Sequence, residues 1–282
     1  MPGSRVMTLA GPYTTPAFMQ RSRGLGRLGV KLRGERTCLD TFYQEGCCKM
    51  RLPRAHGQAC EAVLINTSGG IAGGDRIAWE AEAAPGTRLV LTTQACERVY
   101  RSTGEDACVT TALQVGAGAH IDWVPQETIL FENSRLDRAL DVHLAAGATF
   151  TAVEAVLLGR DAMGETARAA RLKDRWRIFR EGKLIHAEAT RLDGTDRERD
   201  GLSLLAGHNA FATLLAIAPD AGRKLDLLRD MLDPGAMAAA SAVGERLTLR
   251  VLAPSGFALR RSISPAIALL SGSGALPRLW TI

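Results

Sequence analysis

From about residue 30 to 192, apolar and polar residues alternate with a period of two rather than 3.6, which is the spacing of half-buried strands. Val30-Lys31-Leu32-Arg33, Arg88-Leu89-Val90-Leu91-Thr92, His120-Ile121-Asp122-Trp123-Val124 and Phe150-Thr151-Ala152-Val153 all follow it. So does Arg175-Trp176-Arg177-Ile178-Phe179, closed by a turn at Arg180-Glu181-Gly182-Lys183 before Leu184-Ile185. Gly and Pro interrupt at short intervals, as expected of many strands and turns. A turn followed by a strand recurs at Gly86, Gly118 and Gly147, 32 and 29 residues apart. That spacing fits stacked layers of a solenoid-like or wrapped sheet, and it equally fits a common turn used three times. After Asp200 the pattern changes. Leu202 to Ile217 is apolar and alanine-rich, Lys224 to Leu232 has helical spacing, Arg246 to Leu252 alternates, and Leu259 to Leu270 reads as a last helix. Pro265 is expected at a turn or in a first helical turn. The expected architecture is mostly β, with residues 1–23 a lead-in, 24–200 a β-rich body, and 201–282 a smaller α+β portion packed on it.

Composition narrows the class. The 282 residues are 46% hydrophobic and 23% charged, enough for one large core and ordinary for a globular protein. No apolar run approaches the roughly 20 residues of a membrane helix, and the start of the chain lacks a signal-peptide core. A cytoplasmic protein without membrane contact is expected. The net charge of +5 could favour nucleic acid. Basic residues are interleaved with acids, however, as in Arg171-Leu172-Lys173-Asp174-Arg175, and only three tyrosines and seven phenylalanines are available for stacking. A solvated mixed-charge surface is the better reading. The six cysteines contain no C-x-x-C, and the five histidines no H-x-x-x-H. They read as reduced, mostly buried thiols and scattered histidines rather than a fixed metal site.

The densest candidate for chemistry is Asn66-Thr67-Ser68-Gly69-Gly70-Ile71-Ala72-Gly73-Gly74-Asp75. Gly69 and Gly74 have phosphate-loop spacing, but Asp75-Arg76 stands where Lys-Ser/Thr should follow, and an acid there repels phosphate. A tight turn explains the glycines but not Asp75. Gly24-Leu25-Gly26-Arg27-Leu28-Gly29 spells a dinucleotide fingerprint in the wrong context, with no preceding strand and no helix to open. Thr92 to Ser102 gathers Thr93, Gln94, Tyr100 and Arg101 where a strand ends, as a polar cavity or a satisfied turn would. Pro125, before Gln126 and Glu127, belongs at an edge or bulge. Glu154 lies inside a Val/Ala/Leu run, which is costly unless it is paired or lines a wet channel. Arg160 or Arg98 is the expected partner, and Glu165 is expected to be exposed. No Ser-His-Asp order or G-x-S-x-G appears, so catalysis has no visible home.

Taken together these stretches resemble the family of urease accessory protein UreD, called UreH in some organisms. The matching pieces are Leu64 to Asp75 with Gly69, Gly70, Gly73 and Gly74; Thr92-Thr93-Gln94-Ala95 with Tyr100-Arg101; and Trp123-Val124-Pro125-Gln126-Glu127-Thr128-Ile129. Leu158-Gly159-Arg160 with Gly164-Glu165, and Pro277-Arg278-Leu279-Trp280, complete the set. They run in the family's order from about residue 25 to 281. Cys96 departs from the small apolar residue expected there. The resemblance implies a non-enzymatic protein of layered β fold with a few helices, which joins UreF and the GTPase UreG on apo-urease. It implies nickel in transit through a polar internal tunnel, with no tightly bound cofactor, and makes Asp75 and Glu154 acidic wall residues with Glu127 a third. Carboxylates suit this role, since they hold a divalent ion less tightly than a Cys/His cage. The rival readings are a scaffold that only bridges urease to the other accessory proteins, and a small-molecule-binding enzyme using the glycine cassette.

Overall fold

A computed structural model describes residues 20–53, 58–193, 199–233 and 235–281. The first strands are β1 (Arg23–Arg33), β2 (Arg36–Gly46), β3 (Cys48–Arg51), β4 (Cys60–Asn66), β5 (Arg76–Ala83) and β6 (Arg88–Thr93). Next come β7 (Glu97–Val99), β8 (Ala107–Val115), β9 (His120–Trp123), β10 (Thr128–Leu130), β11 (Arg135–Leu144) and β12 (Thr149–Leu158). The remainder are β13 (Arg171–Arg180), β14 (Lys183–Leu192), β15 (Ala210–Ile217), α1 (Ala221–Met231), β16 (Met237–Val243), β17 (Arg246–Ala253) and α2 (Gly256–Leu270). Among the described residues these strands form two sheets. The first has the order β14-β13-β11-β8-β5-β1-β2; the second runs β16-β17-β15-β12-β9-β6-β4-β3, with β10 and β7 attached beside β12.

The recurring turn-and-strand unit is a true repeat. β5, β8 and β11 lie parallel in the first sheet, and each crosses to β6, β9 and β12, which lie parallel in the second. The crossings pass through Gly86, Gly118 and Gly147, all in the left-handed region with φ of 72°, 64° and 67°, where glycine carries no steric penalty. The turns also bond to one another: Gly86 N–H donates to Ala117 O at 2.9 Å, and Gly118 N–H to Ala146 O at 3.3 Å. Three rungs thus wrap as a short solenoid whose sheets share one interior.

Strict alternation then sorts side chains into two cores. Along β12, Phe150, Ala152, Val156 and Leu158 face the first sheet, where Leu113, Leu140, Val142 and Trp176 meet them. Val153 and Ala155 face the other way, against Leu249, Leu259, Ile263 and Ile267 under α1 and α2. Each Val, Leu, Ile or Phe among them contributes about 1.5–3 kcal/mol on burial, so both faces of the second sheet are held. The fingerprint-like glycine run lies inside β1, not before a helix. At Gly26 a Cβ would come within 2.3 Å of the Trp79 ring, so that glycine makes room for the indole. Pro265 also departs from expectation, because it lies inside α2. Pro265 and Arg261, whose carbonyl loses its N–H partner, are both exposed residues, while Leu259, Ile263, Ala266 and Ile267 hold the helix down.

Candidate functional site

The interior between the two sheets is not uniformly apolar. On β11 the inward positions read Leu136, Arg138, Leu140, Val142, and on the parallel neighbour β13 they read Leu172, Asp174, Trp176, Ile178. Register sets Arg138 directly beside Asp174. From the opposite sheet Glu154 of β12 points into the same space. Arg138 binds both carboxylates, Nη1 at 2.5 Å from Glu154 Oε2 and Nη2 at 2.6 Å from Asp174 Oδ2. Nη1 also donates to Thr128 Oγ1 at 3.0 Å, and Trp123 Nε1 donates to Glu154 Oε1 at 3.0 Å. All three ionic side chains are buried. Burial pushes the Glu154 carboxyl above the ordinary carboxylate range, against the pull of Arg138. For Arg138, burial is outweighed by Asp174 and Glu154, which hold the guanidinium charged. Two carboxylates thus share one cation in a low-dielectric interior, an arrangement that survives only with close pairing.

Beside this cluster lies a cavity of about 50 Å³, bordered by Thr93, Glu97, Gln126, Thr128, Arg138 and Glu154 within a largely apolar lining that includes Ile77 and Trp79. That space is enough for water, given polar partners. Arg138 Nε and Asp174 Oδ1 are buried without a protein partner, the kind of groups that buried water satisfies. Glu97 enters from β7. Burial raises its carboxyl to about 7, although Asn66 Nδ2 donates to it at 3.2 and 3.3 Å.

The glycine cassette is strapped to the same corner. Ile71 N–H donates to Arg98 O and Tyr100 N–H to Ile71 O, both at 2.7 Å. At Gly70 a Cβ would meet the Tyr100 ring at 2.3 Å, and at Gly73 it would meet Ser102 Oγ at 2.1 Å. These glycines therefore admit the 98–105 segment rather than a phosphate. Asp75 fastens the loop: its oxygens accept from Ser22 N–H and Ala72 N–H, each at 2.7 Å. Tyr100 Oη donates to Gly69 O, and Glu105 approaches Gly74. Thr93 Oγ1 accepts from Gln126 N–H at 2.8 Å, tying β6 to the Pro125 turn. Gln94 and Arg101 are exposed.

Glu127 faces the helices rather than the intersheet cavity. It pairs with Arg260 of α2 at 2.8 Å, and Cys96 Sγ donates to it at 3.3 Å. Burial pushes the Glu127 carboxyl up, but Arg260 outweighs that and holds it below the ordinary range. Arg260 also binds Gln126 and lies over the Trp280 ring, while Trp280 Nε1 donates to Val124 O at 2.9 Å. Arg278 is exposed. Glu154 is paired by Arg138, not by Arg160 or Arg98. Arg160 instead binds Glu165 at 2.5 Å and lies over Phe131. Glu165, expected to be exposed, is half-buried because it also accepts Glu132 N–H, and Gly159 packs on its carbonyl.

The structure thus unites Glu154, Thr93 and Gln126 around one cavity, and leaves Asp75 and Glu127 in separate fastenings. Sequence reasoning missed Arg138, Asp174 and Glu97. The first two carried a signal, since both fall on the inward phase of an alternating strand. A third polar network joins Ser271, Asp122 and His120, with Asp122 in the middle: Ser271 Oγ donates to it at 2.8 Å and His120 Nε2 lies 2.7 Å away. Ser271 donates to Asp122 rather than to His120, so the order is not that of a Ser-His-Asp relay. Among the described residues no three His, Cys, Asp or Glu side chains gather as a metal site, and no helix is long and apolar enough to cross a membrane.

Comparison with known proteins gives this architecture its relatives. A urease accessory protein UreD of Chelativorans sp. (strain BNC1) is 70% identical over 268 residues, covering 95% of this chain and 97% of its own. A urease accessory protein UreD of Rhizobium etli is 47% identical over 277 residues, covering 98% and 100%; one of Sinorhizobium medicae is 48% identical over 93% and 97%. The family model of the UreD urease accessory protein matches residues 22–281. The chain belongs to the UreD urease accessory protein family.

Proposed function

We propose that the chain serves urease maturation as a non-catalytic accessory protein in the cytoplasm. On this reading it joins UreF and the GTPase UreG on apo-urease and helps deliver nickel, which passes through the space between the two sheets. The observation that supports the passage is the cavity bordered by the Glu154 and Glu97 carboxyls inside a β sandwich whose surroundings are apolar. Oxygen ligands and water suit brief residence of a divalent ion, where a Cys/His cage would retain it. Glu154 accepts from Arg138 and Trp123, so a passing cation competes with the guanidinium and stays transient. Asp75 and Glu127 are the other acids proposed to meet nickel, each beginning from a carboxylate already engaged by the protein.

The test is co-purification of the tagged chain with UreF, UreG and apo-urease, followed by urease activity with added nickel. Expected are a complex and activation that both vanish when this chain is omitted. Glu154→Ala should keep the complex and lose most of the activation. Undiminished activation in Glu154→Ala and Asp75→Ala alike, with loss only on interface changes, would leave the bridging scaffold as the function.

A further inference from the structure

Two thiols that nothing above uses converge on one spot. Cys47 and Cys48 sit where β2 turns into β3, and this turn, at Gly46 with φ of 56°, breaks the alternation that would send adjacent side chains to opposite faces. Both sulfurs instead crowd over Gly24 of β1. A Cβ built there would lie 2.7 Å from Cys48 Sγ and 2.9 Å from Cys47 Sγ. The backbone around them is fixed: Cys47 N–H donates to Arg23 O at 3.0 Å, while Thr67 N–H and Oγ1 donate to Cys47 O at 2.9 and 3.1 Å. Cys48 is fully buried and Cys47 half-buried, so the pair is held by the core on one side and reachable on the other. Cys38 of β2 and Cys60 of β4 also lie near one another, but on two separate strands rather than one turn, and Cys96 is committed to Glu127.

We propose that Cys47 and Cys48 form a vicinal dithiol that chelates a soft monovalent metal ion, with Cu(I) as the probe. Two sulfurs on one rigid turn match a low-coordinate thiophilic cation, which thiolates select over oxygen-loving ions. Binding breaks two S–H bonds and forms two Cu–S bonds; two protons leave to solvent and no electron is transferred. Burial pushes both thiols up, Cys48 to about 12, so metal binding has to displace their protons.

The experiment is an anaerobic titration of the reduced full chain with Cu(I) against a chromophoric Cu(I) chelator. The expected result is one ion withheld per chain, with Cys47→Ser and Cys48→Ser each weakening retention by about 100-fold or more, a loss of ~2.7 kcal/mol. Cys96→Ser should bind as the unaltered chain does. A trivalent arsenical, which needs two close sulfurs, should shield Cys47 and Cys48 together when the chain is afterwards denatured and alkylated, as read by peptide mass spectrometry. Retention unchanged in Cys47→Ser, or arsenical protection that spares this pair, overturns the proposal. Should the buried Cys48→Ser fail to fold by circular dichroism, Cys47→Ser and the labelling of the unaltered chain decide it.

Discussion

The two faces of the second sheet are built from the same strands and differ in almost everything else. The face under α1 and α2 is packed with Val153, Leu214, Leu249, Ile263 and Ile267, and at its margin the oxygens of Asp122 accept from Ser271 Oγ and Gly272 N–H beside His120. The face toward the first sheet presents Glu154, which meets Arg138 and Asp174 of that sheet, and beside them lie two polar atoms without protein partners and a cavity. Apart from Asp122 at its margin, the helix-side face keeps its charge to a single pair, Glu127 with Arg260, so a core on this sheet does not by itself require a cluster of three charges. Replacing buried ion pairs by apolar residues is often neutral or stabilising. The intersheet charges are therefore the part of the interior that asks for a function, and the helix-side core is the part that explains stability.

The contrast breaks most sharply at Arg138. Arg138→Met strands Glu154 and Asp174 without a counter-charge in a low dielectric, and should cost about 3–5 kcal/mol, read as a lowered denaturant midpoint. Changing all three residues together to apolar ones of similar size should recover most of that stability. If the triple variant folds well yet no longer supports nickel-dependent activation, the charges serve delivery rather than the fold. A triple variant as unstable as Arg138→Met would mean that the cluster is structural.

The helix-side core gives the complementary case. Ile263 is fully buried on α2, and Ile263→Ala should cost about 2–4 kcal/mol through lost transfer energy and a cavity. Activation measured well below the melting temperature should be unaffected, because Ile263 is an apolar packing residue and not one of the acids proposed to meet nickel. Loss of activation at full stability would instead implicate the helices in assembly.

Much of this contrast was legible beforehand, and the reasons for the gaps are local. Period-two alternation located the strands because one side of each faces a core, whereas the Gly86, Gly118 and Gly147 spacing fitted stacked rungs and a common turn equally, and only the structure, with all three glycines left-handed and the turns bonded to one another, decides for rungs. Glu154 stood out as an acid in an apolar run. Asp174 did not, because Lys173 and Arg175 disguise it as part of a charged surface; only the inward phase of Leu172 and Trp176 gives it away. Arg138 is hidden in the same manner among Asp137, Ala139 and Asp141. The pairing across sheets was unreadable, since nothing local to β12 says that β11 lies opposite. Pro265 misled because its cost depends on whether the freed carbonyl reaches water, which is a property of the packed helix.

The mildest test concerns protons. Glu97, at the cavity, has its carboxyl raised to about 7 in the folded chain, mainly by burial, from an ordinary 4.5. Below about 4.5 the group is protonated in both states and the folded form pays nothing for burying it. Between 4.5 and 7 the unfolded chain ionises while the folded chain keeps its proton, so stability falls as pH rises through that window and levels off above it. Glu97→Gln, which mimics the neutral form, should remove this slope, matching the unaltered protein near pH 4.5 and exceeding it by about 1–3 kcal/mol at pH 8. Denaturant unfolding at the two pH values reads the difference directly. A variant less stable than the unaltered protein at pH 8 would mean that Glu97 is ionised and well solvated there, with the cavity open to bulk water and the carboxylate charged before any metal arrives.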